Sequence, residues 1–237
     1  AESGGRPAGV CVATSYGDAG FIGELLVDPA CRGGGAGPEL FDRAGAYLRG
    51  CGCRTVSLDS VPRAVPFYET RGFRPVCRSL RLRGAPAGAV GEGIRPVTAA
   101  DLPAIGEIDR RAFGGDRSFF LERRAALYPE LAWLKFSAGR ITGYIFGRRR
   151  QGFAWAGPWW VDTGDARPGA LLAAFASGAG EAEVRLGVLE ANVRAVALVS
   201  GLGFTASPKP SIRMVRGEGG TLGADRSLLA VGTAAKG

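Results

Sequence analysis

The 237-residue chain contains no histidine. That absence removes the Ser-His-Asp and Cys-His nucleophile systems and the commonest metal ligand together. A general acid or base must then be a carboxylate, a tyrosine, a thiol, a lysine or water. Lysine is scarce too, confined to Lys135, Lys209 and Lys236, so a phosphate-binding lysine of the Walker type is missing. No apolar run approaches the roughly 20 residues that cross a bilayer. The opening Ala1-Glu2-Ser3-Gly4-Gly5 has no basic-then-apolar signal pattern. The expectation is a soluble, cytoplasmic protein without a membrane partner. The five cysteines (Cys11, Cys31, Cys51, Cys53 and Cys77) are odd in number and lack C-x-x-C spacing. They suggest neither a disulfide framework nor a zinc site, so no metal is expected, and they read as small buried apolar residues.

What is present is an apolar fraction of 46%, enough for one large or two modest globular domains. The net charge of +8 comes almost wholly from arginines scattered along the chain. Such scatter does not make a nucleic-acid surface, and none is expected. The one cluster, Arg148-Arg149-Arg150, precedes Gln151-Gly152 and reads as a solvated hairpin turn.

The sequence contains one unit twice. Gly5, Arg6, Gly9, Gly23, Val27 and Asp28 recur as Gly139, Arg140, Gly143, Gly157, Val161 and Asp162 at a constant offset of 134. Ala64, Gly72 and Phe73 recur as Ala195, Gly203 and Phe204 at an offset of 131. Repeats of this kind decide the fold before any local pattern does. The division that follows is a first unit over 1–84, a small-residue linker over 85–93, a second unit over 94–217 and a Gly/Ala-rich tail over 218–237, expected to be loosely ordered. In the second unit the patterns predict a strand at 94–97, then Thr98 as N-cap of a helix to Phe113, and a second helix over 119–127. Strands follow over 132–136, 141–146 and 153–161, a helix over 171–177, a strand over 184–189, a helix over 193–200 and a strand over 211–215. Projected back by 134, residue 94 falls about 40 positions before Ala1. The first unit therefore lacks an opening strand, two helices and a strand, through a late start, a misjudged start site or genuine loss.

Phe21 to Val27 reads as a strand stopped by Asp28-Pro29, and the loop Arg32-Gly33-Gly34-Gly35-Ala36-Gly37 follows. Pro38 is placed as the first residue of the next helix, with Leu40, Phe41, Ala44 and Leu48 on one face. Glycines let successive backbone N–H groups approach an anion, and the helix terminus adds partial positive charge. Three readings compete. A dinucleotide site would use Asp59 at the end of the next strand, Thr55 to Leu58, but Pro38 stands where its third glycine belongs. A glycine turn without a ligand is the second. The third is a pyrophosphate loop of another kind.

The R-G-x-G-x-G pattern behind a strand ending in V-x-P (Val27, Pro29) resembles the acetyl-CoA loop of the GNAT N-acetyltransferase superfamily. Ala64, Phe67, Tyr68, Gly72 and Phe73 add that family's A-x-x-[LF]-Y-x-x-x-G-F signature, with Val61 in place of the usual asparagine. The resemblance implies an α/β (α+β) fold of two tandem units, each a mixed, mostly antiparallel central sheet flanked by helices. It implies acetyl transfer from acetyl-CoA, the co-substrate, to a small-molecule or peptide amine of unknown identity. A CoA-binding or interaction protein without turnover is the alternative. It further implies that the amides of Arg32, Gly33, Gly34, Gly35, Ala36 and Gly37 hold the pyrophosphate, and that Leu26 and Val27 pair with pantetheine. Tyr68 would protonate the departing thiolate. Glu24, on the strand before the loop, would serve as base, with Asp59 as second candidate.

The second unit reads Asp162-Thr163-Gly164-Asp165-Ala166-Arg167-Pro168-Gly169 where the first has its loop, and Val199 where the first has Tyr68. Asn192, Ala195, Leu198, Gly203 and Phe204 keep the turn signature. It resembles a unit that has kept its packing and lost its chemistry. Trp155, Trp159 and Trp160 on its central strands are expected in the core or against an acceptor cleft.

Overall fold

The computed structural model describes residues 1–180, 183–233 and 237. A two-residue hairpin, β1 (Glu2–Ser3) with β2 (Arg6–Pro7), opens the chain. β3 (Gly9–Ser15) and β4 (Ala19–Val27) then pair antiparallel. α1 (Ala36–Gly50) places Phe41, Ala44 and Leu48 against Ile22, Val56 and Leu58, the stripe that a 3.6-residue period demands. β5 (Thr55–Ser60), the short α2 (Val65–Glu69) and β6 (Arg74–Gly84) complete the first unit.

The second unit runs β7 (Ile94–Pro96), α3 (Leu102–Phe113), α4 (Ser118–Leu127), β8 (Trp133–Ser137), β9 (Arg140–Arg150) and β10 (Phe153–Val161). It continues with α5 (Ala170–Ala179), β11 (Val184–Leu189), α6 (Val193–Gly201), β12 (Thr205–Ala206), β13 (Ser211–Gly217) and β14 (Leu228–Ala230). Thr98 caps a single 3-10 turn that leads into α3, closing a capping box with Asp101. β10 has the bounds of β4 displaced by 134, so the repeat is one of structure as well as sequence.

The strands form one twelve-stranded sheet in the order β3-β4-β5-β13-β6-β11-β10-β9-β8-β7, with β12 on β6 and β14 on β10. β4 with β5 and β10 with β11 are parallel, and the other pairs are antiparallel. This is the mixed, helix-flanked architecture expected from the sequence. The sheets of the two units are joined by an exchange that no local pattern signals. β13 of the second unit lies between β5 and β6 of the first, and β6 pairs with β11 of the second.

A buried ionic group fastens the exchange. Arg213 on β13 donates from Nε to Asp59 on β5 at 2.6 Å, and Arg81 on β6 donates to the other Asp59 oxygen at 2.7 Å. Arg213 also donates to the Leu222 carbonyl at 2.7 Å, tying in the tail. Burial alone would raise the Asp59 carboxyl, but the Arg213 and Arg81 guanidiniums outweigh it and hold the group at about 2. A second buried pair, Arg117 with Asp109 at 2.7 and 2.8 Å, locks α3 to the start of α4, with the Tyr144 hydroxyl donating to Asp109.

Four expectations change. The helix after the glycine loop starts at Ala36 rather than Pro38, because Gly35 in the left-handed region (φ +83°) already turns the chain. Arg148-Arg149-Arg150 is no solvated turn: β9 extends through it, the turn falls on Gln151-Gly152, and Arg148 and Arg149 are half-buried. Of the cysteines Cys53 is buried, Cys51 is exposed and the other three are intermediate; all are free. The tail is not loosely ordered, since Leu222, Leu228, Leu229, Ala230 and Val231 are all buried. Phe113, Leu222 and Leu228 pack with Tyr16, Ala19 and Phe21 over a sheet face of the first unit. Of the tail, residues 234–236 lie outside the described residues. Among the described residues no helix is long and apolar enough to cross a membrane.

Candidate functional site

β4 and β5 run together only from Ala19–Ile22 against Thr55–Leu58. Past Gly23 they separate, because a bulge opposite Cys11 shifts the register and puts Glu24 at φ +52°. Residues 25–27 of β4 are thereby left without a strand partner on the β5 side. At the mouth of this gap the glycine loop enters α1. Gly33 (φ +85°) and Gly35 (φ +83°) hold conformations that a Cβ disfavours, and nothing lies within 4 Å of a Cβ built on either. The first helical N–H groups, of Ala36 and Gly37, point out of the helix end unpaired by its own turns, and Pro38 has none to spare. Arg32 is exposed, and its Nε donates to the Val27 carbonyl at 3.1 Å, closing the loop onto the strand end.

These elements enclose a cavity of about 720 Å³. Glu24, Leu26, Val27, Arg32, Gly33, Gly35, Ala36, Gly37 and Tyr68 all line it; Gly34 does not. Tyr68 stands on α2 against Phe67, Phe41 and Phe73 at ring-centroid distances of 5.0, 5.5 and 6.2 Å. Among the described residues its hydroxyl has no hydrogen-bond partner. Burial and the neighbouring Cys11 push the phenol up, so it stays protonated at neutral pH. Glu24 is exposed and has no ion pair within 4 Å among the described residues. Asp59 reaches the same cavity, but Arg213, Arg81 and Ser79 occupy its oxygens. A carboxylate held at about 2 is a poor base, which removes the second candidate. The wall also contains Phe67 of the signature, Cys31, and Arg63, which no sequence pattern singled out. Arg63 is exposed within the turn before α2.

Models of GNAT acetyltransferases match twice: the family model over residues 1–73 and a GNAT domain model over residues 105–229, the latter more than half of the chain. The chain belongs to the GNAT acetyltransferase family. Glucosamine 6-phosphate N-acetyltransferase of Trypanosoma brucei brucei is 43% identical over 63 residues, 27% of this chain and 43% of that protein. The match thus spans less than half of that relative. A putative acetyltransferase from Pyrococcus horikoshii superposes with a TM-score of 0.80 at 24% identity, covering 99% of this chain and 78% of that one. A tandem GNAT protein from the clavulanic acid biosynthesis pathway superposes at 0.61 with 17% identity, covering 93% and 82%.

The second GNAT unit repeats the geometry and closes it. β10 and β11 run together over Ala154–Ala156 and then separate, as β4 and β5 do. β14 enters the gap, pairing Ala230 with Trp159 and Leu228 with Trp160, the positions equivalent to Leu25 and Leu26. Val161 donates to the Ser227 carbonyl and Val231 to that of Gly187, both at 2.9 Å. The loop is closed as well. Asp162 accepts from the Gly164 amide at 3.2 Å and Asp165 from the Arg167 amide at 2.7 Å. Arg140 and Lys135 neutralise the two carboxylates at 2.7 and 2.6 Å. Val199 is fully buried. Asn192 keeps its capping bond to the Ala195 amide at 3.0 Å, whereas Val61 caps nothing. Trp159 is core. Trp155 donates to the Gly232 carbonyl at 3.0 Å, and Trp160 faces a separate cavity with Asp101 and Ile108. Among the described residues no group of three or more Asp, Glu or Cys is placed to hold a metal ion.

Proposed function

We propose that the chain transfers an acetyl group from acetyl-CoA to an amine in a ternary complex, at the cavity of the first unit. The observation that carries this is the convergence of an unpaired strand edge, a glycine loop at a helix N-terminus and an unpartnered tyrosine hydroxyl on one cavity. In this reading the loop amides bind the pyrophosphate, where the helix dipole and absent Cβ atoms favour an anion. The free edge at Leu26 and Val27 takes the amides of pantetheine as a neighbouring strand would. Glu24 accepts the proton of the attacking ammonium, directly or through water. The amine attacks the thioester carbonyl, the tetrahedral intermediate expels the thiolate, and Tyr68 delivers a proton to that sulfur. A raised phenol pKa suits an acid that must remain loaded at neutral pH. Residues 1–84 then form a catalytic unit, residues 94–217 a structural partner that shapes the acceptor side, and the strand Leu228–Ala230 of the tail a plug.

The test is Tyr68→Phe. Turnover falls roughly 100-fold, the usual weight of a positioned acid, with acetyl-CoA affinity unchanged. An unchanged rate removes Tyr68 from the role. A wild-type protein that binds acetyl-CoA yet acetylates no amine in a broad panel is the CoA-binding alternative.

A further inference from the structure

The strand alternation of β9 divides the arginine triplet. Arg149 faces Glu130 at 3.2 Å and the Gly178 carbonyl, also at 3.2 Å. Arg148 and Arg150 fall on the opposite face, with Tyr144 and Phe146, which α4 covers through Phe120 and Leu121. On α4, Arg124 lies over the Phe120 ring at 4.8 Å and near the Tyr128 ring at 6.0 Å. Three guanidiniums thus gather on one side of the second unit. Among the described residues none of the three has a carboxylate within ion-pair distance, and Arg124 and Arg148 each bury an Nε with no hydrogen-bond partner. Buried, unpaired donors on like charges are costly unless something else completes them.

The electrostatics agree with the geometry. Burial and the charge of Arg148 bring Arg124 down to about 10, with Arg150 adding to the effect. Arg148 is also lowered, by burial and by Arg150. The acidic groups whose charge reaches Arg148 are the Tyr128 phenol and the carboxylate of Glu24. Glu24 belongs to the first unit and to its cavity, so the charge of that cavity's carboxylate reaches the cluster.

We infer that the acceptor is an amine carrying an anionic group, a phosphate or a carboxylate, which docks on Arg124 and Arg148 with Arg150 at the rim. This deepens the acetyltransferase reading and rests on it. The anion supplies the missing acceptors, offsets the mutual repulsion of the guanidiniums and orients the amine toward Glu24.

Matched acceptors test it on the full chain: glucosamine 6-phosphate against glucosamine for phosphate, L-lysine against cadaverine for carboxylate. At least one charged member exceeds its partner by about tenfold or more in kcat/KM. Arg148→Gln and Arg124→Gln each lower that value by roughly 30-fold or more through KM, the usual cost of truncating a desolvated charge contact, and leave acetyl-CoA affinity unchanged. Arg148→Lys retains part of the preference, which a packing role would not require. Melting curves show both Gln variants folded. Neutral amines turned over as well as charged ones, no charged member turned over, or a preference that survives Arg148→Gln would each overturn the inference while leaving acetyl-CoA binding intact. Failure of wild-type protein to bind acetyl-CoA would instead remove the acetyltransferase reading and this inference with it.

Discussion

The gap between β4 and β5 is open, and its counterpart between β10 and β11 is filled. The two clefts share a bulge, a strand divergence and a following helix at the same repeat positions, yet one exposes a strand edge and the other buries it under β14. A GNAT core is therefore stable with or without a ligand-sized gap, provided that the backbone groups along the edge find partners. In the second unit they find Ser227, Leu228 and Ala230, and the loop amides find Asp162 and Asp165. The absence of the glycine pattern and the tyrosine there is accompanied by protein groups that fill the cleft.

Breaking the brace between the units has the largest expected effect. Arg213→Met leaves Asp59 buried beside Arg81 with its second partner gone, and costs about 4 kcal/mol in chemical denaturation. A loss within about 1 kcal/mol would mean that the strand exchange does not depend on this pair. Emptying the plug comes next. Leu229→Ala, at a fully buried position of β14, removes about 3 kcal/mol and leaves acetyl-CoA affinity unchanged. An unperturbed stability would return the tail to the loosely ordered state that its composition suggested.

The smallest effect is a pH dependence shared by both units. Asp59 sits at about 2 in the folded chain against an ordinary 3.8. A depressed carboxyl contributes stability in full above its ordinary value and loses it as pH falls toward the folded one. The contribution is about 2 kcal/mol, lost between roughly pH 4 and 2. Comparing wild type with Asp59→Asn over that range isolates it. The acid-induced loss should shrink in the variant, and an identical slope would contradict the assignment.

The glycine loop and the cavity of the first unit are legible in the sequence because their signals are local. Gly33 and Gly35 are required by backbone conformation, Tyr68 falls at fixed spacing behind them, and the offset of 134 reappears as identical strand bounds in β4 and β10. The joined sheet was not legible. Which strand pairs with β5 is decided by contacts more than 150 residues apart, such as Arg213 with Asp59, and periodicity along the chain carries no such information. The plug escaped notice because Leu228-Leu229-Ala230-Val231 is a short apolar run inside a Gly/Ala-rich segment, ambiguous by pattern alone. Arg148 was misplaced for a related reason. A run of charges hides the alternation that sends Arg149 to one face and its neighbours to the other.

The central claim is that the open cleft binds acetyl-CoA and the filled one does not. Calorimetric titration of the full chain with acetyl-CoA measures it directly. The account predicts one site per polypeptide, and no binding after Gly35→Glu, which forces a side chain into a left-handed position and sets a carboxylate at the loop. Two sites per chain, or binding retained in Gly35→Glu, would contradict it.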